Sequence, residues 1–200
     1  MSILLDAGPC LNFLAVRQEN VLIQLAAFYD LELAAPQRVD DEVEGMVKDS
    51  RFAKTRVLTT WRTLKGSGRL RILNDGLETQ EFAEAVARIS GVPARDRVRQ
   101  RRNLGEILVL AHASVVAQRG QRVFVLIDES DGRRRANDEQ RWLSRRGASG
   151  ALMLWNTPRV LHEAASHPGW IRNDLTWEAV YDQMTKFDDG LPQRPGHGRR

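Results

Sequence analysis

The 200-residue sequence has a single cysteine and no long apolar run. Cys10 cannot form an intrachain disulfide bond, so we expect a reducing compartment, of which the cytoplasm is the simplest. No apolar stretch approaches the roughly 20 residues that a membrane-spanning helix needs, so no membrane partner is expected. The first residues carry no basic segment and soon reach Asp6, which argues against a secretory signal.

Histidine and aromatic residues are also scarce, which argues against several kinds of chemistry. The four histidines show no spacing typical of metal ligands, so we do not expect a zinc site. Neither Ser130 nor Cys10 has a histidine partner in the sequence, which argues against a protein nucleophile. The five tryptophans could stack on bases, but most fall in the amphipathic C-terminal part, so we expect them to pack in the core.

Positive charge is concentrated in two segments, although the formal net charge is only +4. Residues 88–102 carry six arginines and one acid, and residues 133–146 carry six arginines and two acids. Arginine suits phosphate because its guanidinium group donates paired hydrogen bonds. Either run alone is equally well explained as a solvated surface, but two of them favour a polyanionic partner.

Short apolar segments predict buried strands, and helical spacing predicts helices between them. We expect strands at Ser2–Leu5, Leu31–Ala35, Leu70–Leu73, Arg122–Ile127 and Ala151–Trp155. We expect helices at Leu11–Ala27, Val39–Val47, Ser50–Leu64, Glu78–Ile89, Leu104–Gln118, Ser130–Arg145, Thr157–Ala165 and Trp177–Phe187, and a basic connector at Gly91–Arg102. Fully apolar strands that alternate with helices indicate an α/β fold with a mostly parallel sheet covered on both faces.

Aspartates stand at the ends of two of these strands. Asp6 follows the first strand and Asp128 follows the fourth. Because ligands of open α/β sheets bind beyond the carboxyl ends of the strands, both side chains are candidate site residues. Aspartate also caps helices and initiates turns, and this explanation stays open for each of them.

Two further acidic groups belong to predicted helix starts. Residues 40–44 include four acids, a location that the helix dipole also favours. Glu106 opens an otherwise apolar helix, and Asn103 three residues earlier forms a pattern similar to a capping box. If these carboxylates meet Asp6 and Asp128, their mutual repulsion calls for a cation, and oxygen ligands alone favour Mg²⁺ or Mn²⁺.

Several segments in one order resemble the PIN-domain nuclease family, including its toxins. The segment ILLD at residues 3–6 is similar to the opening of these domains. Residues 36–43 resemble their P-x-x-V-x-x-E segment, which points to Glu42. LGE at residues 104–106 is similar to the GE segment of one subgroup.

The resemblance continues in the second half of the chain. Residues 126–136 resemble the IDD-x-x-A-R-x-x-A segment of the subgroup, and residues 150–154 resemble the stretch that follows it. In residues 126–136, Asp131 comes later than the second acid of the family segment, as if one residue were inserted. This spacing leaves open whether Asp128 or Asp131 reaches the metal. The match extends from about residue 3 to about residue 172, and many toxins of the family have aspartate where this chain has Glu106.

The resemblance implies a three-layer PIN-like nuclease domain at residues 1–172, followed by a C-terminal helix and a flexible basic tail at 173–200. It implies Mg²⁺- or Mn²⁺-dependent hydrolysis of RNA that leaves a 5′-phosphate and a 3′-hydroxyl. The catalytic residues would be Asp6, Glu42, Glu106 and Asp128, with Asp131 as a further metal ligand. The RNA-binding residues would be Arg101, Arg102, Arg133, Arg134 and Arg135.

Three functional hypotheses remain open at this stage. The first is a ribonuclease, in particular the toxin of a toxin–antitoxin pair with a small antitoxin partner, or else an RNA-processing enzyme. The second is a PIN-like module that binds RNA or protein without cutting, although all four acidic positions are filled. The third is a phosphotransfer domain, which should show a lysine after a late strand, and no lysine follows Trp155 closely. A homodimer is a further expectation.

Overall fold

The computed structural model describes residues 1–46, 49–188 and 190–191. Its strands are β1 (Ser2–Leu5), β2 (Glu32–Pro36), β3 (Leu70–Leu73), β4 (Arg122–Leu126) and β5 (Ala151–Trp155). Its α-helices are α1 (Ala7–Ala15), α2 (Glu19–Phe28), α3 (Gln37–Gly45), α4 (Val57–Gly66), α5 (Gln80–Ser90), α6 (Ala94–Arg97), α7 (Leu104–Gln118), α8 (Ser130–Arg145), α9 (Thr157–Ala165) and α10 (Trp177–Met184).

The strands form one parallel sheet in the order β3-β2-β1-β4-β5. Strand β1 is central, and Ile3 lies opposite Leu33 on one side and Phe124 on the other. All four residues of β1 are buried, because a central parallel strand has helices over both of its faces. The predicted α/β class with a helix-covered parallel sheet is therefore confirmed.

Helices cover both faces of this sheet. Helix α7 packs along several strands and against α5 and α8, whereas α2 packs on β2 and against α9. Parallel strands require crossover connections, which are right-handed in nearly all proteins and place helices on opposite faces when the strand order reverses. The result is a three-layer arrangement of helices, sheet and helices.

Helix α7 is buried on both sides. One side contacts the main core through Val109, Leu110, Ala113 and Ala117. The other side forms a second cluster with Phe82 and neighbouring residues of α5 and α6. This double burial explains why the sequence of α7 is apolar around its whole circumference.

The predicted helix Leu11–Ala27 is wrong in one respect, because the chain breaks it into α1 and α2. Arg17 adopts a left-handed conformation with φ of 59°. Gln18 is 1% exposed, and its side chain exchanges hydrogen bonds with the backbone N–H and C=O of Arg172. A buried amide needs partners, and this position of Gln18 supplies them where an uninterrupted helix would not.

Two other predicted elements also differ from the structure. The predicted helix Ser50–Leu64 begins only at α4, because the carboxylate of Asp49 accepts the backbone N–H of Arg51 in a local turn that competes with a helix. The predicted connector Gly91–Arg102 contains α6, which follows Pro93. Val47, the last residue of the predicted helix Val39–Val47, lies outside the described residues.

The C-terminal part packs onto the rest of the fold. Helix α10 contacts α9 and α1, and Val180, Tyr181 and Met184 belong to the main core. The predicted boundary at residue 172 stays a prediction. The predicted flexible tail lies almost entirely outside the described residues, since nothing after residue 191 is described. Within the described ranges, no helix has the length and apolar character needed to cross a bilayer.

Candidate acidic site

The candidate site lies where the chain leaves β1 and β4 in opposite directions. Strand β1 leads to β2 on one side of the sheet, while β4 leads to β5 on the other side. Such a reversal of strand order opens a crevice beyond the carboxyl ends of the two strands. Asp6 directly follows β1, and its backbone N–H still donates to Leu126 of β4 at 3.3 Å.

Glu106 is the most unusual side chain at this crevice. It is 4% exposed, and neither carboxylate oxygen has a hydrogen-bond partner among the described residues. Its nearest cation is the guanidinium group of Arg135, whose Nε lies 3.5 Å from Oε1. Burial of a carboxylate without hydrogen bonds costs free energy of folding. This cost indicates that Glu106 interacts with a ligand or takes up a proton.

The capping-box alternative for Glu106 is wrong. Asn103 precedes α7 in a left-handed conformation with φ of 51°, and its side chain makes no capping hydrogen bond. Because the oxygens of Glu106 are unpartnered, this side chain does not cap the helix either. Helix geometry therefore does not explain the position of this acid.

Two glycines provide the space that the acidic side chains occupy. A Cβ atom on Gly132, in the first turn of α8, would lie 2.5 Å from Oε2 of Glu106 and 2.7 Å from Cγ2 of Ile127. A Cβ atom on Gly105 would lie 2.8 Å from Oε2 of Glu42. Any larger residue would displace these carboxylates, so α3, α7 and α8 converge at one point of the crevice.

Asp6 is a second buried acid of the site. It is 8% exposed, and its side chain makes no capping hydrogen bond at the start of α1. Burial raises the pKa of Asp6 from 3.8 to about 8; the Ala7 backbone lowers it, and the charges of Glu106, Glu42 and Glu129 raise it further. These interactions group Asp6 with the acids of α3, α7 and the loop before α8.

The pKa values of the other two acids are raised in the same way. Burial raises the pKa of Glu106 from 4.5 to about 7, and Glu129 raises it while Arg135 lowers it. Burial also raises the pKa of Glu42, against the opposing effect of Arg38, whose Nε donates to Glu42 at 2.8 Å. Carboxyls that hinder each other's ionisation at a strand-end crevice are typical of a cation site.

The acids of residues 40–44 divide between two roles. Asp40 accepts hydrogen bonds from the Trp61 indole at 2.7 Å and from Lys65 at 2.6 Å. Glu44, one turn later, pairs with Lys65 and with Arg62 of α4. These two acids therefore fix α4 onto α3, while Glu42, on another side of α3, contacts the crevice.

Asp128 is 3% exposed and held by the start of α9. Its two oxygens accept hydrogen bonds from the backbone N–H of Thr157 at 2.7 Å and from its hydroxyl at 2.6 Å. Burial raises the pKa of Asp128 to about 6, while these hydrogen bonds lower it. Capping of α9 therefore explains the position of the Asp128 carboxylate. Its role as a metal ligand stays a prediction.

Sequence reasoning did not select Glu129 as a site residue. Glu129 is exposed, and its charge raises the pKa of Asp6, Glu42 and Glu106. The side chain of Asp131 is 39% exposed and pairs with Arg134 and Arg135. The consecutive acids at 128 and 129 were visible in the sequence, but only the tertiary structure shows that the charge of Glu129 raises the pKa of Glu106.

Asp188 is a second residue that the sequence did not mark. Its carboxylate accepts a hydrogen bond from Asn12 at 2.8 Å, and it lies about 4.0 Å from where a Cβ of Gly8 would be. Its charge also raises the pKa of Asp128. The segment after α10 thus returns to the mouth of the crevice beside the first turn of α1, a contact that no local motif predicts.

The predicted RNA-binding arginines differ in their surroundings. Arg134 is exposed and paired with Asp131, while Arg135 bridges Asp131, Glu106 and the carbonyl of Ile89. Arg133 is half-buried and forms no ion pair among the described residues, and its Nε has no acceptor there. Arg101 and Arg102 are exposed in the loop before α7.

The loop before α7 has its own internal support. Arg97 is 5% exposed and donates to the carbonyls of Gln100 and Arg102. Burial lowers the pKa of Arg97, and so does Arg135, while Glu106 raises it. Arg97 therefore stabilises the basic loop through these backbone hydrogen bonds and adds positive charge near Glu106. Because it is buried, it is not accessible to a ligand.

The fit of a divalent cation can be tested on these side chains. Over the described ranges, no three His, Cys, Asp or Glu side chains are already arranged as metal ligands. The donors nevertheless have the right chemistry, because Asp6, Glu42 and Glu106 offer only carboxylate oxygens. The unpartnered oxygens of Glu106 and the raised pKa values fit a cation that would replace protons at this site.

Comparison with known proteins adds no relative. No protein-family model, no curated protein and no solved structure matches the chain.

Proposed function

We propose that this chain is a Mg²⁺- or Mn²⁺-dependent ribonuclease of the PIN-domain type. The observation that carries the proposal is Glu106, a buried carboxylate that has no hydrogen-bond partner in the described part of the chain and whose charge raises the pKa of the buried Asp6. Both lie at the carboxyl end of a parallel sheet, where α/β proteins bind their ligands. The resemblance of the sequence segments to PIN domains then supports RNA as the substrate.

The residues of the chain would divide the work as follows. Asp6, Glu42 and Glu106 would hold the ion, with Glu129 or Asp128 as the fourth acid. A bound Mg²⁺ or Mn²⁺ supplies a Lewis acid and an activated water for phosphodiester hydrolysis. Cys10 is buried and its pKa is raised by burial, so its thiol does not serve as a nucleophile.

Two arginines of α8 would support this chemistry in different ways. Arg135 lies 3.5 Å from Glu106 and holds that carboxylate in place, since it also bonds Asp131 and the backbone of α5. Arg133, which has no ion-pair partner in the described part of the chain, would bind a phosphate of the substrate. Arg101, Arg102 and Arg134 would add electrostatic attraction for RNA.

Cleavage of single-stranded RNA in the presence of Mn²⁺ tests the proposal. The wild type should cut and should stop on addition of a chelator, while Asp6→Asn and Glu106→Gln should be inactive yet folded. The matched control is Asp30→Asn, because Asp30 is exposed and its left-handed conformation suits asparagine. Wild-type rates in Asp6→Asn would assign Asp6 to the turn alone.

A second candidate function is an RNA-binding module that does not cut. The specific observation in its favour is that the described acids are not already in a ligand arrangement. Calorimetric titration with Mn²⁺ separates the two candidates, since a nuclease site should bind the ion and Glu106→Gln should bind it more weakly. RNA binding without Mn²⁺ binding would favour the module.

The finer proposal is that the enzyme is the toxin of a toxin–antitoxin pair in the cytoplasm. It rests on the resemblance to PIN toxins, as do the proposals of a small antitoxin partner and a homodimer. Expression of the wild type should arrest growth and Asp6→Asn should not. Harmless expression of a wild type that cuts RNA in vitro would favour an RNA-processing enzyme.

A further inference from the structure

An arginine-lined groove lies beside the acidic site, between α8, the end of β5 and the start of α9. Its volume is about 590 Å³. It is lined by Arg133, Arg134, Asn137, Arg141, Asn156 and Arg159, among other residues, and no carboxylate lines it. A concave surface of this composition is suited to phosphate groups.

The wall formed by α8 presents a continuous stripe of polar residues. Ser130, Arg134, Asn137 and Arg141 line the groove at spacings of four, three and four residues, which places them on one face of the helix. From the first to the last of them, α8 rises about 16 Å. The groove is therefore extended along the helix.

The cations of the groove are incompletely paired within the protein. Over the described ranges, Arg134 and Arg141 pair only with acids of their own helix, Asp131 and Asp138. In the described ranges Arg133 and Arg159 form no ion pair, and the guanidinium group of Arg159 lies 5.3 Å from the centre of the Trp155 ring. Charge thus remains for an anionic ligand.

Two buried donors next to the groove also lack acceptors. Among the described residues, neither Nε of Arg133 nor Nε1 of Trp155 has a hydrogen-bond partner, and both residues line the groove. A buried donor without an acceptor costs about 1–3 kcal/mol. Because these two atoms are buried, a phosphate in the groove would be bound by the accessible guanidinium N–H groups of the lining arginines and not by them.

The groove begins where the acidic site ends. Ser130 is two residues beyond Asp128, and Asn156 directly precedes Thr157, which holds the carboxylate of Asp128. This end of the groove therefore adjoins Asp128, one of the candidate acids of the site.

We propose that this groove binds the phosphates of a single RNA strand on one side of the bond that is cleaved. The inference rests on the proposed function, because it assigns the substrate path of that site. Single strands bind in positively charged grooves, whereas proteins contact a duplex with helices or strands that enter the grooves of the nucleic acid. The position of Arg141 and Arg159 makes them determinants of RNA affinity outside the acidic site.

The test measures RNA binding without cleavage. A fluorescent single-stranded RNA is titrated in EDTA with the wild type, with Arg141→Ala/Arg159→Ala and with a matched control, Arg69→Ala/Arg122→Ala. The control removes the same amount of charge from two exposed arginines. Arg69 precedes β3 and Arg122 begins β4, so both lie at the amino ends of the strands, away from the groove. Thermal unfolding verifies that each variant is folded.

The groove variant should bind at least tenfold more weakly than the wild type, and the control should stay within about twofold. Two lost phosphate contacts should lower the slope of log affinity against log salt by about 1.4. Equal losses in both variants would assign the effect to net charge and overturn the inference. Absence of RNA binding by the wild type would also overturn it.

Competition binding and a cleavage assay distinguish the remaining outcomes. Double-stranded RNA or tripolyphosphate that competes as well as single-stranded RNA would overturn the assignment to a single strand. Selective loss of binding in the groove variant, together with no cleavage by the wild type in Mn²⁺, would support the groove and refute the proposed nuclease. Selective loss of both binding and cleavage would support the whole path.

Discussion

The buried carboxyl of Asp6 makes a quantitative prediction about stability in the absence of metal. The pKa of Asp6 is 3.8 in an ordinary environment and about 8 in the folded protein, because burial and neighbouring acids disfavour its charged form. Between these two values the folded protein keeps a proton that the unfolded chain has released. Since the unfolded state then binds fewer protons, the free energy of unfolding must fall as pH rises.

The size of this effect follows from the linkage relation. One proton bound only in the folded state changes the free energy of unfolding by about 1.4 kcal/mol per pH unit. From pH 5 to pH 7 this amounts to about 3 kcal/mol for Asp6 alone. Glu106, whose pKa is raised to about 7, adds a contribution of the same sign over most of this range.

The perturbation is Asp6→Asn, which removes the ionisable group and keeps the size of the side chain. The free energy of unfolding is measured by urea denaturation in EDTA between pH 5 and pH 8. Between pH 5 and pH 7 the free energy of unfolding should fall by about 3 kcal/mol less for the variant than for the wild type. Near neutral pH the variant should therefore be the more stable of the two. The exposed control Asp30→Asn should follow the wild-type profile.

Addition of Mn²⁺ should reverse the trend. An ion that replaces the protons of Asp6 and Glu106 stabilises the folded state more at pH 8 than at pH 6, because it competes with fewer protons. Asp6→Asn should lose most of this stabilisation. Parallel pH profiles for the wild type and Asp6→Asn in EDTA would refute the argument that Asp6 is a buried carboxyl within a repelling cluster.

Three other substitutions test separate parts of the site. Gly132→Ala should displace Glu106 and reduce cleavage at least tenfold, since its Cβ would lie 2.5 Å from the carboxylate, whereas Gly66→Ala, with open space around it, should leave the rate unchanged. Thr157→Val should destabilise the protein by about 1.5–3 kcal/mol in urea at pH 8, because ionised Asp128 loses a buried hydrogen bond. Arg133→Ala should weaken RNA binding for all sequences and lower its salt slope by about 0.7; an unchanged slope contradicts phosphate contact.

The sequence marked two acids that the structure buries at the carboxyl end of the sheet. Asp6 and Glu106 are both buried at the crevice, as expected from their positions after β1 and at the start of α7. The four acids of residues 40–44 could not be separated in the sequence, since each suits a helix start. Their roles depend on α4, which engages Asp40 and Glu44 and leaves Glu42 for the crevice.

The choice between neighbouring acids also needed tertiary structure. The sequence offered Asp128 and Asp131, but Thr157 of α9 holds Asp128 and the arginines of α8 hold Asp131. The charge of Glu129, which follows Asp128 directly, raises the pKa of Glu106. Asp188 reaches the same region because α10 packs on α9 and α1 and directs the following segment back to Asn12.

By itself, the sequence determined the α/β class, the strands and the doubly buried helix α7, because local apolar patterns record which faces are covered. It did not determine the order of the strands or the break between α1 and α2. Strand order depends on which edges pair across long stretches of chain, and the break depends on the bond between Gln18 and the backbone of Arg172. Contacts between residues far apart in sequence leave no periodic pattern, so only the tertiary structure decided them.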